Sequence, residues 1–144
     1  AGLLLGWIGA ASLQVAATES PVLVASADGL IAGKALAGFL DTAKSGNTAT
    51  VAGQASVVTL SFRAADGRAC RQFQTGTVMA LGCKDSGEDW LIQATTQTAA
   101  LSDGGYVPAA GGSPAVIEAA MTALGIADVY DASMEDAAIR DGWQ

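Results

Sequence analysis
The chain has no histidine, only 2 cysteines, 3 prolines and 15% charged residues in a length of 144. Without an imidazole, His-based acid–base catalysis, Ser–His and Cys–His nucleophile pairs and His-bearing zinc sites are excluded. The cysteines are widely spaced and form no CxxC pair. Cations are scarce as well: 7 Lys+Arg stand against 14 Asp+Glu, giving a net charge of -7 and a pI near 4.2. That balance excludes a nucleic-acid partner, whose phosphates need a basic footprint. A charged share below the usual quarter or so, with 51% hydrophobic residues, also excludes a disordered chain. The length suits one domain with at most one appended element, and no internal repeat is visible. Nothing in the sequence has the spacing of a cofactor, metal or catalytic motif, so a non-enzymatic protein is expected.

What is present is unevenly distributed. Residues 1–84 carry Glu19, Asp28, Asp41 and Asp66 against Lys34, Lys44, Arg63, Arg68, Arg71 and Lys84, whereas residues 85–144 carry ten acids and Arg140 as their one base. Net charge is therefore +2 before Asp85 and -9 from there on. An acidic half of this kind aids solubility and can also meet a basic partner surface.

Residues 1–17 (AGLLLGWIGAASLQVAA) contain no charge, and Ser12 and Gln14 are their overtly polar side chains. As a helix the stretch would span roughly 25 Å, slightly under a hydrocarbon core of about 30 Å. A membrane anchor over residues 1–18, with Leu3, Leu4, Leu5, Trp7, Ile8 and Leu13 facing lipid and upstream residues completing the span, is the expectation. The alternatives are a signal-like segment ending at Val15-Ala16-Ala17 and a buried helix. Thr18-Glu19-Ser20-Pro21 ends the run, and residues 19–144 read as one small domain.

In that domain residues 22–26 suit a strand or a linker. Asp28 can cap a helix running to about Ala43, with Leu36, Phe39, Leu40 and Ala43 on one apolar face. Four strand-like stretches follow, near residues 55–63, 68–75, 78–84 and 89–98. In the first, Val58, Leu60 and Phe62 alternate with Thr59, Ser61 and Arg63, the period of a sheet with one buried face. Short connections at 64–67, 76–77 and 85–88 force antiparallel neighbours and hence a meander. The Gly-rich residues 101–112 read as an exposed connection. Ser113-Pro114 opens a helix with Val116, Ile117, Ala120, Met121 and Leu124 on its apolar face. A last helix runs from Ser133, with Glu135 and Asp136 in its first turn, to Gly142, and Trp143 packs back on the domain. The expected fold is α+β: an N-terminal hydrophobic transmembrane helix, then a helix, a four-stranded antiparallel meander and two C-terminal helices.

The cysteine spacing carries the strongest local inference. If Gly76-Thr77 is a two-residue hairpin turn, Thr75 faces Val78, and counting back from the turn places Cys70 directly opposite Cys83. Alternation makes this a non-hydrogen-bonded site, where Cα atoms approach to about 4.5 Å, near the low end of disulfide geometry. A cross-strand disulfide implies an oxidising compartment such as a periplasm. Two buried free thiols, or a catalytic redox pair, are the other readings.

Other candidate chemistry is sparse. Asp85, Glu88 and Asp89 share a turn but lack the spacing of a calcium loop, and Asp128, Asp131, Glu135 and Asp136 are explained by helix capping and a solvated exterior. Arg63, Arg68 and Arg71 lie on adjacent predicted strands, where they can bind an anionic group or pair with the acidic C-terminal half. Together with Trp143 they are the candidate partner contacts. Phe73 and Trp90 belong to the core.

Several strings then combine: Leu40-Asp41-Thr42 with Ser45-Gly46, the run from Ser61 to Arg68 with Cys70-Arg71-Gln72-Phe73, Leu81-Gly82-Cys83-Lys84, Trp90, and Ile139-Arg140-Asp141-Gly142-Trp143. Across residues 36–143 this resembles the extracytoplasmic domain of proteobacterial membrane-anchored anti-sigma-factor-like proteins. In that group a cytoplasmic part, one membrane span and a periplasmic domain follow one another. The family often has Ala-Cys-Arg where this chain has Gly82-Cys83-Lys84. The resemblance implies a bacterial inner-membrane protein with its C-terminal domain in the periplasm. Two functions suit the hydrophobic N-terminal segment and the lack of any catalytic constellation: an accessory subunit docked on integral membrane proteins and held in the bilayer by that segment, or, as the resemblance implies, an envelope-sensing regulator.

Overall fold
The computed structural model describes residues 22–27, 29–85, 89–100 and 114–143. Its elements run β1 (Leu23–Ser26), β2 (Gly29–Ala32), α1 (Lys34–Thr42), β3 (Thr48–Val51), β4 (Gln54–Ala64), β5 (Ala69–Thr75), β6 (Val78–Lys84), β7 (Trp90–Gln97), α2 (Ala115–Leu124), β8 (Ile126–Val129) and α3 (Ala132–Asp141). The strands form a single antiparallel sheet in the order β1-β2-β7-β6-β5-β4-β3, with β8 also on β4.

This corrects the expected four-stranded meander. Strands β4 to β7 do form one, but β1–β2 widens it beyond β7, and β3 and β8 share the far side of β4. The added strands β1, β2, β3 and β8 have four residues each, too few for a two-residue period to stand out. The helix expected from Asp28 starts instead at Lys34, because Gly29–Ala32 is held as a strand by β1 and by pairing of Ile31 with Leu91. The last helix starts at Ala132, one residue before the expected Ser133, because Asp131 caps it, its carboxylate accepting the Met134 N–H at 2.8 Å. The expected N-terminal helix, with Leu3, Leu4, Leu5, Trp7, Ile8 and Leu13, and the Gly-rich connection lie outside the described residues. Among the described residues no helix is long and apolar enough to cross a membrane.

β4 has eleven residues and serves three neighbours. A bulge between Val58 and Leu60 bends it, so one end pairs with β3 and the other with β8. Helices cover both faces of the sheet. Leu36 and Leu40 of α1 pack with Val58, Phe73, Ala80, Trp90 and Trp143, whereas Ile117 and Met121 of α2 pack on the other face with Phe62, Cys70, Leu81 and Cys83. Full burial of Leu36, Leu40 or Ile117 stabilises the fold by about 1.5–3 kcal/mol each. Covered on both sides, β5 is buried at all seven positions, including Arg71.

The predicted 76–77 hairpin is present. Thr75 faces Val78, Gly76 takes the left-handed φ of 58° that the turn requires, and Cys70 faces Cys83. The two cysteines are bonded, their Cα atoms 4.0 Å apart and both side chains fully buried. Replacing Cys70 by Ser removes a cross-link around a short loop and is expected to lower stability by about 2–4 kcal/mol. Urea titrations of Cys70→Ser, and of the native chain with and without reductant, measure it; equal midpoints would refute it.

Candidate functional site
The chemistry-bearing side chains of the described residues converge on the sheet face under α1 and α3. Strand alternation puts Arg71 on the same face as Phe73, and there it is completely buried. Its guanidinium uses each nitrogen. Nε donates to Ser61 Oγ at 2.8 Å, Nη1 to the Leu40 carbonyl at 2.6 Å and Nη2 to Glu135 Oε2 at 2.9 Å. Ser61, on the adjoining strand β4, in turn donates its hydroxyl hydrogen bond to Glu135 Oε2 at 2.8 Å. Glu135 sits in the first turn of α3, at the positive end of the helix dipole. It also accepts the Ser45 amide at 2.8 Å on Oε1 and the Ser45 hydroxyl on Oε2. One ion pair thus joins α3, the end of α1, the 45–46 turn and two strands.

Burial is the largest influence on both charges, and the two resolve differently. Arg71 is lowered from its ordinary value by burial, against the pull of Glu135. For Glu135, burial raises the carboxyl, but the Ser45 hydroxyl and amide, Ser61 and the Arg71 charge outweigh it and hold the group below the ordinary carboxyl range. A carboxyl depressed on folding contributes stability above its unfolded value, and that contribution is lost as pH falls through the folded value. Stability should therefore fall on acidification below about pH 4 to 5. Because Glu135→Gln has no such carboxyl, the gap between native chain and variant should narrow as pH drops. Paired urea titrations at pH 7 and pH 3 test this, and a constant gap would contradict it.

Asp41, at the end of α1, is the second anchor. Its Oδ1 accepts Lys84 Nζ at 2.6 Å and Trp90 Nε1 at 2.9 Å, and its backbone carbonyl accepts Trp143 Nε1 at 2.8 Å. Lys84 lies 5.3 Å over the Trp90 ring. Aromatic rings bridge the two anchors. Trp143 meets Trp90 edge-on at 5.7 Å, stacks on Tyr130 at 5.8 Å and carries the Arg71 guanidinium 4.5 Å over its face. Arg63 caps the outer side of Tyr130 at 6.0 Å.

No family model, no curated protein and no solved structure matches the chain.

The candidate partner contacts divide accordingly. Arg71 and Trp143 are buried, at 0% and 4% exposure, so neither is available to a partner in the folded domain. Arg71 forms the internal pair with the acidic C-terminal half. Arg68 turns back on Asp66, with Nε 2.9 Å from Oδ2, and Arg63 is exposed. Cys70 and Cys83 meet as the spacing predicts. Of the acidic sets, Asp85 and Asp89 close their own turn, with the Asp89 amide donating to Asp85 Oδ1 at 3.2 Å. Asp128, Asp131 and Asp136 lie apart from the buried cluster, Asp136 against Lys44 at 3.3 Å. Among the described residues no group of three or more His, Cys, Asp or Glu is placed to hold a metal.

Glu135 and Ser61 were not singled out from sequence as members of one cluster. The signal was there: Ala138 and Ile139, three and four residues after Glu135, pack on the core, so Glu135 lies on the inward stripe of α3. Among the described residues every buried side-chain nitrogen and oxygen has a partner, and the arrangement clamps helices to the sheet.

Proposed function
We propose that this chain is a non-catalytic extracytoplasmic protein of the bacterial inner membrane that works through protein–protein contacts as an accessory subunit of a membrane complex. The observation that carries this reading is the inward use of its chemistry. Arg71, Glu135, Asp41, Lys84, Trp90 and Trp143 are spent on holding α1 and α3 to a disulfide-joined sheet, which makes a rigid body suited to presenting a surface. Two further features support it: a disulfide suits an oxidising compartment, and the uncharged residues 1–17 suit attachment to a membrane.

Extraction of the native protein from its source membranes in mild detergent, followed by mass spectrometry of everything that co-migrates, tests the proposal. Stoichiometric recovery of integral membrane proteins is expected. Recovery of a sigma factor would replace the accessory role with regulation, and a chain that migrates alone would refute both.

A further inference from the structure
Four large hydrophobic side chains stand exposed among the described residues, and three of them belong to α2 and β8: Val116, Ile126 and Val129, the last two at 46% and 54% exposure. β8 is exposed at all four positions, and β4 is its partner strand in the sheet. The pairing is firm at both ends, where the Ala65 N–H donates to the Gly125 carbonyl and the Tyr130 N–H to the Ser61 carbonyl, each at 2.9 Å. Since Tyr130 turns its N–H toward β4, alternation turns the backbone groups of Val129 outward; the register then shifts between Arg63 and Ala64, so Ile126, opposite Ala64, lies on the same face as Val129, opposite Phe62. The neighbouring edge strand β3 differs: it exposes Thr48, Ala49 and Thr50 and buries its one large apolar residue, Val51. An exposed apolar edge with free backbone groups is a template for a further strand.

We propose that the outer edge of β8 is this protein's docking surface and that it accepts one extended, basic strand of a partner protein. This rests on the contact function proposed above and names its surface. Charge selects the occupant. Residues 114–131 contain Glu118, Asp128 and Asp131 and no Lys or Arg. Arg63, which faces Asp128 across the β4–β8 ladder, lies over the Tyr130 ring. A Lys or Arg on an added strand opposite or diagonal to Asp128 gains a cross-strand charge pair, while alternate apolar residues cover Ile126 and Val129. A second copy of the chain fits poorly. It brings its own Asp128 and a net charge of -7, and two four-residue strands cover far less than the roughly 800 Å² per partner of a standard interface.

The test uses the full chain and two synthetic peptides, one alternating valine with lysine and one alternating valine with glutamate. Binding is followed by fluorescence anisotropy and by backbone amide shifts. The valine–lysine peptide should bind, with its largest shifts at Val129 and its neighbours, and the valine–glutamate peptide at least tenfold more weakly. Val129→Pro removes an outward N–H, keeps the charge and leaves the β4 ladder intact, and should abolish binding. Asp128→Lys leaves the backbone intact and should weaken binding by roughly threefold to tenfold. Undiminished binding to both variants, shifts centred elsewhere, or no binding to the native chain overturns the proposal. So does a concentration-dependent dimer that Val129→Pro abolishes, which would assign the edge to a second copy. Detergent co-purification separates the two levels: if native chain and Val129→Pro recover the same membrane proteins, the edge assignment fails and the contact function stands; if the native chain recovers none, the contact function itself fails.

Discussion

Arg71→Met is expected to lower the unfolding free energy by about 3–5 kcal/mol. The side chain is fully buried and its removal strands Glu135, itself 5% exposed, with a carboxylate in the core. Ser45 and Ser61 still donate to that carboxylate, but no cation remains beside it, and the Leu40 carbonyl and the Trp143 ring lose their partner. Glu135→Leu strands the guanidinium instead and should cost a similar amount. The double variant Arg71→Met/Glu135→Leu is expected to recover most of the loss, because the desolvation of both charges disappears with them. Arg71→Lys keeps the charge but offers one nitrogen to three separate acceptors, and should fall between native chain and Arg71→Met. Urea titrations of the native chain, Arg71→Met, Glu135→Leu and the double variant give the coupling energy. Additive single-variant effects would show that the pair does not act as a unit.

That pair also marks the boundary of what the sequence displays. The β4 to β7 meander is legible because Val58, Leu60 and Phe62 alternate with polar residues and because Gly76-Thr77 fixes a register, which places Cys70 against Cys83 without knowledge of anything distant. Helix α2 is legible from Ile117, Ala120, Met121 and Leu124. Strands β1, β2, β3 and β8 are not, because a four-residue strand is specified by its neighbour. Gly29–Ala32 is a strand because β1 folds back on it and Ile31 meets Leu91, contacts that no local period reports. The buried cluster is hidden for a similar reason. Arg71 reads as a surface cation until β5 is known to be covered on both faces, and Glu135 reads as a helix-dipole acid until α3 is known to lie on the sheet.

The strings that suggested an extracytoplasmic domain gain a physical meaning from this arrangement. Asp41, Ser45, Arg71, Lys84, Trp90 and Trp143, drawn from five separate strings, meet in one connected network. A set of residues that clamps two helices to a sheet specifies a fold. Docking specificity is then left to exposed positions such as Ile126, Asp128 and Val129, which lie outside those strings. The two kinds of residue should separate experimentally: variants in the network change stability, and variants on β8 change binding at constant stability.

Trp143→Ala is the second large expectation, at about 3–5 kcal/mol. The chain turns at the end of α3 through two successive left-handed residues, Gly142 at φ 71° and Trp143 at φ 66°. Gly142 takes this conformation without penalty and its N–H closes on the helix, whereas a bulky residue there costs on the order of 1–3 kcal/mol. Trp143 adopts it because the turn aims the indole inward. There it is 4% exposed, donates Nε1 to the Asp41 carbonyl at 2.8 Å, meets Trp90 and Tyr130, and lies under the Arg71 guanidinium. Ring burial and these contacts outweigh the backbone cost. Truncation to Ala keeps the cost and removes the compensation, so the last turn of α3 should fray and Glu135 should be less well held. Trp143→Phe retains an aromatic face for Arg71 but loses the bond to Asp41, and should lose about 1–3 kcal/mol. Denaturant midpoints, with amide exchange of residues 137–142 as a local readout, measure both; native-like midpoints for Trp143→Ala would show that α3 is held by Glu135 alone.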